Sequence, residues 1–167
     1  PLAAVVGKGE YMQIFDKVFV STTYGGETLS LAACVATIKE FQEKNVCRHM
    51  WQISEMFREG YNKIAKENEL DSECIGYYPR LKIIIRDEKG DESMLLKSFF
   101  LQELVEKGIF MHPNTVLFSF SHSKENIEYT LKCINDVLHS LKKEMNDGTI
   151  KDSIKGEIPK EVIRMLK

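Results

Sequence analysis

The most informative segment of the sequence is Phe19-Val-Ser-Thr-Thr-Tyr-Gly-Gly-Glu-Thr-Leu-Ser-Leu-Ala-Ala33. It joins a polar loop, Ser21–Thr28, to a helix of small and apolar residues. The hydroxyls of Ser21, Thr22 and Thr23, two glycines and a helix N-terminus are groups with which proteins hold anions, because hydroxyl and N–H groups donate to anionic oxygens. The loop lacks the Gly-Lys-Ser/Thr of a Walker A loop and the GxGxxG pattern. From the residues alone, a polar turn with a helix cap is the preferred interpretation.

The residues before the loop predict short elements. Two apolar runs, Leu2–Val6 and Val18–Val20, predict strands. Glu10–Asp16, between them, predicts one or two helical turns.

The helix after the loop is predicted to be buried, because its first half is apolar or small nearly all round. Glu27 or Thr28 can cap its start. Residues 1–44 contain too few other elements to cover this helix. We therefore expect either that the chain oligomerises through this segment or that the rest of its domain is missing. The chain does not begin with Met, which favours the second expectation.

The remainder predicts a compact α+β unit. Periodic apolar residues predict three amphipathic helices, which are Asn45–Asn68, Glu92–Lys107 and one from the cap pair Ser123 and Asn126 to about Met145. Apolar, β-branched runs predict three strands, which are Ile75–Arg86, Ile109–Met111 and Val116–Phe120. From about residue 73 the predicted order of elements is β-α-β-β-α.

Composition excludes several classes of protein. The chain has 167 residues, 43% of them hydrophobic and 29% charged, which disfavours disorder. A net charge of −2 provides no basic field for nucleic acid or an anionic membrane, and no apolar run is long enough to span a bilayer. The four cysteines and four histidines show no metal-ligand or redox spacing. Buried, reduced thiols are the expected state, and with them a cytoplasmic location.

The loop and three other segments resemble class III pyridoxal-phosphate-dependent aminotransferases. The family pattern reads small–Thr–aromatic–Gly–Gly–(Asn/Glu)–(Pro/Thr)–Leu and leads into an alanine-rich helix. The Glu-Thr-Leu-Ser-Leu-Ala-Ala version resembles the branch with glutamate-1-semialdehyde aminomutase and sugar aminotransferases. The other matching segments are Pro1–Met12, Phe100–Pro113 and Phe118–Ile127. The resemblance thus covers nearly the whole chain.

The resemblance implies a fold, a cofactor and a site. The chain would be the C-terminal part of a fold type I transferase, in which 1–44 end the large domain with the phosphate loop and interface helix. Residues 45–72 would form a connecting helix, and 73–167 the small α+β domain. The family threonine before the aromatic-Gly-Gly binds the cofactor phosphate of the neighbouring subunit in an obligate dimer. This role falls on Thr23, with Thr22, Tyr24 and Gly25 as helpers.

The resemblance also implies that this segment lacks part of the family's site. The family's Schiff-base lysine lies upstream of the position matched by Pro1, so the 167-residue chain alone is expected to be inactive. Lys8 matches a basic surface position. The strand Asn114–Ser121 has no arginine to hold a substrate carboxylate, and Arg80 and Arg86 are expected to be surface charges or salt-bridge partners.

Three functions follow from these observations. The first is the C-terminal portion of an aminotransferase or aminomutase that acts on a small amino donor and a carbonyl acceptor, as a homodimer or with a missing N-terminal half. The second is a non-catalytic dimerisation or interaction module derived from that family. The third is an unrelated phosphate-binding domain, which would leave the resemblance outside the loop unexplained.

Overall fold

The computed structural model describes residues 3–21 and 23–158. It contains two compact units, Pro1–Cys47 and Arg48–Lys167. In the described residues, no helix combines the length and the apolar character needed to cross a membrane.

The first unit contains three short or medium elements: α1 (Gly9–Met12), a 3-10 turn (Gln13–Asp16) and α2 (Thr28–Glu43). The helical turns predicted at Glu10–Asp16 are confirmed. The predicted strands are wrong, because Ala3–Val6 and Val18–Val20 are extended or irregular and pair with no described strand. A strand needs a partner to satisfy its backbone N–H and C=O groups. Leu2 lies outside the described residues.

Helix α2 is fully formed but uncovered. Glu27 is its cap, and no residue of the helix is buried. The prediction that its first half is buried is therefore wrong for this chain. The reason is that the other elements of the first unit are single turns, which offer too little surface to cover sixteen residues.

The second unit combines three helices with a three-stranded antiparallel sheet. Its elements are α3 (Val46–Glu67), β1 (Ser72–Tyr77), β2 (Arg80–Ile85), α4 (Met94–Glu106), β3 (Val116–Leu117) and α5 (Lys124–Asp147). The strand order is β1-β2-β3. The two residues of Val46–Cys47 fall in the first unit, and the rest of α3 in the second.

The strand predictions needed correction in this unit. The single strand predicted over Ile75–Arg86 is a hairpin, with Tyr78 and Pro79 as its two-residue loop. Proline donates no backbone hydrogen bond and fixes φ, so it ends a strand. Ile109–Met111 forms no strand, and Val116–Phe120 is a strand only at Val116–Leu117. The observed order is therefore β-β-α-β-α.

The helices and the sheet enclose one hydrophobic core. Alternate residues of β2, which are Leu81, Ile83 and Ile85, are buried and point into it. Each of the three helices contributes fully or almost fully buried side chains, among them Phe57, Tyr61, Phe100, Leu104, Ile134, Val137, Leu138 and Leu141. Every second residue of a strand, and every third or fourth residue of a helix, lies on the same face. The buried residues of each element therefore share one face of it.

The cysteines differ in exposure. Cys74 and Cys133 are buried, Cys34 is half-buried and Cys47 is exposed, and all four are free thiols. The expectation of a buried thiol is therefore wrong for Cys47. Burial raises the pKa of the Cys74 thiol to about 12.

Candidate functional site

The predicted phosphate loop forms a tight, exposed turn. Thr23, Tyr24, Gly25 and Gly26 make up the turn, and all four are exposed. The Tyr24 carbonyl accepts a hydrogen bond of 3.1 Å from the Glu27 N–H, which closes the turn against the start of α2. Thr22, the remaining predicted site residue, lies outside the described residues.

Glu27 occupies the N-terminus of α2 with its own carboxylate. The carboxylate accepts hydrogen bonds from the Leu29 N–H at 2.9 Å and from the Ser30 N–H at 2.6 Å. Hydrogen bonds from the side chain and backbone of Ser30, and from the backbone of Leu29, hold the pKa of Glu27 below its usual value. These helix-end donors are therefore taken, and a phosphate at this loop would depend on the turn itself.

The turn offers a hydrogen-bond donor and open space to a phosphate that is not part of this chain. No described residue makes a hydrogen bond to the Thr23 hydroxyl, which leaves it free to donate. A Cβ atom at Gly26 would meet no heavy atom within 4 Å, so the space beside the turn is open. The residues present thus fit one side of a phosphate site, with Thr23 as the donor.

Neither lysine of interest has the surroundings of a Schiff-base lysine. Lys8 is exposed, in agreement with the surface position expected for it. Its backbone carbonyl accepts the first hydrogen bonds of α1, from the N–H groups of Tyr11 and Met12. Lys97, which sequence reasoning did not single out, is 1% exposed, and its ammonium is paired with the Glu92 carboxylate. An amine that attacks a carbonyl must be unprotonated and free, which an ion pair opposes.

Arg86 forms a surface ion-pair cluster, as expected for it. Its guanidinium pairs with Asp71 at 3.1 Å and with Glu73. These contacts hold the pKa of Arg86 above its usual value. Arg86 is therefore occupied at the end of the β1–β2 hairpin.

Sequence reasoning missed a cavity of about 290 Å³ in the second unit. Its polar side chains include His112, His122 and Asn126. The sequence signal was present, because His112-Pro-Asn and Ser121-His-Ser are turn sequences. These residues also belong to the segments Phe100–Pro113 and Phe118–Ile127 that carry the resemblance, but spacing in sequence does not reveal which side chains line one cavity.

Comparison with known proteins settles the fold. No model of a known protein family matches the chain. The glutamate-1-semialdehyde 2,1-aminomutase of Desulfitobacterium hafniense (strain DSM 10664 / DCB-2) is 29% identical over 156 residues, which cover 84% of this chain and 36% of that protein. The 3-aminobutyryl-CoA aminotransferase of Cloacimonas acidaminovorans (strain Evry) is 28% identical over 146 residues, which cover 85% of this chain and 35% of that protein.

Solved structures agree. The FumI protein of Sphingopyxis sp. MTA144, in a pyridoxal-phosphate form, matches with a TM-score of 0.72 and 14% identity over 84% of this chain and 34% of that one. The glutamate-1-semialdehyde aminomutase of Pseudomonas aeruginosa PAO1 matches with a TM-score of 0.60 and 20% identity over 74% of this chain and 31% of that one. The chain has part of the fold type I transaminase architecture. The resemblance to the aminotransferases and aminomutases is thereby confirmed, over about a third of the length of these relatives.

Proposed function

We propose that the chain is the C-terminal portion of a pyridoxal-phosphate-dependent aminotransferase or aminomutase of class III. It would supply Thr23 to the cofactor phosphate across a dimer interface, together with the small domain. The observation that carries the proposal is the exposed Thr23–Gly26 turn. The Thr23 hydroxyl in this turn has no hydrogen-bond partner among the described residues. The relatives of the chain include an aminomutase and an aminotransferase.

The residues of this chain would bind and orient rather than transfer protons. The Thr23 hydroxyl would donate to a phosphate oxygen, and Tyr24 and Gly25 would shape the turn around it. Glu27 would keep the turn fixed to α2 by holding the Leu29 and Ser30 N–H groups. When bound, pyridoxal phosphate supplies an electron sink for the carbon that carries the amino group. The substrates would be a small amino donor and a carbonyl acceptor.

The dimer interface would include α2. Large apolar side chains are spread along this helix and are between 41% and 77% exposed; they are Leu29, Leu31, Val35, Ile38 and Phe41. An exposed apolar stretch of this kind is typical of an interaction surface. We infer that a second copy covers it.

The domain roles follow from the same proposal. Residues 1–44 would end the large domain, 45–72 would connect, and 73–167 would form the small domain. Without a Schiff-base lysine, the 167-residue chain alone would be inactive. The free thiols support a cytoplasmic location.

Replacement of Thr23 by valine tests the phosphate role. We expect pyridoxamine 5′-phosphate to shift the Tyr24 and Gly26 amide resonances of the 167-residue chain, and pyridoxamine without phosphate to leave them unchanged. Thr23→Val should weaken this binding by about tenfold or more, because one hydrogen bond to a charged group is lost. An amine probe is chosen because it forms no Schiff base with surface lysines.

Thr37→Val is the matched control. In the wild type the Thr37 hydroxyl donates a hydrogen bond of 2.8 Å to the Ala33 carbonyl within α2, and Thr37 lies outside the turn. Equal affinity for the wild type and Thr23→Val, or equal shifts with pyridoxamine, would show that Thr23 does not hold the phosphate.

A non-catalytic dimerisation module is the second candidate function, because the exposed apolar residues of α2 require a partner but no cofactor. The module predicts that the 167-residue chain is a dimer in sedimentation experiments. Ile38→Glu should convert it to a monomer, since it places a charge in the apolar surface. Lys39→Glu, on the next residue, should leave the dimer intact. A wild-type chain that stays monomeric at the highest concentration at which it remains in solution would contradict the dimerisation module.

A further inference from the structure

The missed cavity has apolar walls and an exposed polar rim that includes His112, His122 and Asn126. It has a volume of about 290 Å³ and lies wholly among residues of the second unit. Phe57, Phe118 and Ile127 are buried residues of its wall, and Phe110 is 92% exposed at its open side. None of the thirteen residues that line it in the described part of the chain is Lys, Arg, Asp or Glu.

Each nitrogen-bearing side chain of the cavity already uses its acceptor atom. His112 Nδ1 accepts the Asn114 N–H at 3.1 Å, and His122 Nδ1 accepts the Ser119 N–H at 3.2 Å. Asn126 Oδ1 accepts the Ser123 N–H at 2.9 Å, as half of the capping box of α5.

These three contacts leave at least one donor hydrogen on each of the three side chains. An imidazole whose Nδ1 accepts a hydrogen bond carries its hydrogen on Nε2, so both histidines keep a donor. Asn126 keeps the two hydrogens of Nδ2. The remaining polar side chains of the cavity, Thr115 and Thr130, are hydroxyls and can also donate.

We propose that this cavity binds a small carboxylate with an apolar chain. Apolar walls suit a hydrocarbon, and an excess of donors suits an acceptor group. A carboxylate fits better than a carbonyl, because it accepts about four hydrogen bonds whereas a carbonyl oxygen has two lone pairs. The site uses only residues of the second unit and does not depend on the cofactor proposal.

Hexanoate, hexylamine and hexan-1-ol are matched probes for this proposal. Each is titrated into the 167-residue chain while the methyl and amide resonances of the cavity residues are followed. Hexanoate should shift Ile127 and Thr130 saturably. Hexylamine should not shift them, because its ammonium group donates hydrogen bonds and would face the donors of the histidine and asparagine side chains. Hexan-1-ol should bind more weakly than hexanoate. Equal binding of all three would show an apolar pocket without carboxylate recognition and would overturn the proposal.

Asn126→Asp separates recognition from folding. Aspartate keeps an oxygen for the Ser123 N–H and so preserves the cap, but it replaces the Nδ2 donor with a negative charge. Hexanoate affinity should fall about tenfold or more, because a donor is lost and a repulsion is gained. His139→Gln, an exposed histidine outside the cavity, should change nothing.

A second variant guards against a folding defect. His112→Asn keeps a side-chain oxygen for the Asn114 N–H, as Asx turns do, but has no Nε2. It should also weaken hexanoate binding, with an unchanged urea midpoint. Long-range 15N spectra of the wild type should show hydrogen on Nε2 of His112 and His122. A hydrogen on Nδ1, or full hexanoate affinity in both variants, would overturn the proposal.

Discussion

Replacement of Gly76 by alanine is expected to lower the free energy of unfolding of the second unit by about 3 kcal/mol. Gly76 lies in β1 opposite Leu81 and has φ of 120°, a conformation that L side chains rarely adopt. A Cβ atom there would come within 2.7 Å of the Arg80 carbonyl oxygen and 3.1 Å of Leu81 Cα. Both obstacles are backbone atoms, so the hairpin itself must shift.

Gly90→Ala is the matched control for this prediction. Gly90 also has a positive φ, 85°, but a Cβ atom there would meet nothing within 4 Å. Gly90→Ala should therefore lower the free energy of unfolding by about 1 kcal/mol, which is the cost of a positive φ at an alanine without a steric clash. Urea denaturation followed by circular dichroism measures both. A similar small loss for the two variants would mean that β1 and β2 do not approach as closely as described.

The second large effect concerns the buried Lys97. Its ammonium pairs with Glu92, which also binds Lys82 at 2.6 Å. Glu92→Ala should cost about 2 to 3 kcal/mol, because it leaves Lys97 buried without its partner. Lys82→Met should cost less than about 1 kcal/mol, since Lys82 is partly exposed.

A double variant decides whether the cost comes from the unpaired charge. Glu92→Ala combined with Lys97→Met should recover most of the lost stability, because a methionine next to the apolar residues Phe100, Met111 and Val116 buries no charge. If the two substitutions simply add, Lys97 does not depend on Glu92, and the account of the pair is wrong.

The same pair predicts a pH dependence. Burial alone would raise the pKa of Glu92, but the hydrogen bonds from Lys82 and Lys97 hold it below its ordinary value. The stabilisation is therefore present above the ordinary pKa of about 4.3 and is lost as pH falls through the lower folded-state pKa. Urea midpoints between pH 6 and 3 should fall in the wild type and fall less in the double variant.

The helices could be predicted from the sequence because their determinants are local. The cap pair Ser123 and Asn126 forms the capping box that starts α5, and the apolar spacing of α3 and α4 placed both within about two residues of their observed bounds. Strands depend on partners elsewhere in the chain. Val18–Val20 has a strand composition but no partner strand in the described residues, and Ile75–Arg86 folds back on itself at Pro79.

The candidate site could be predicted only in part. The Thr23–Gly26 turn followed from a contiguous motif. The donors of the cavity could not be predicted in this way. Which atoms of His112, His122 and Asn126 remain free depends on hydrogen bonds that form only when separate loops fold. The burial of Lys97 could not be predicted for a similar reason. It depends on the ion pair with Glu92, which is five residues away and outside α4.

The most direct test of the central proposal is to map lysines after reduction with borohydride in the presence of pyridoxal 5′-phosphate. The chain is proposed to contribute Thr23 to the phosphate site but not the Schiff-base lysine. Peptide mass analysis should therefore find only scattered, substoichiometric labels on exposed lysines. One stoichiometric label on a single residue, such as Lys8 or Lys97, would show that the chain contains its own Schiff-base lysine and would contradict the proposal.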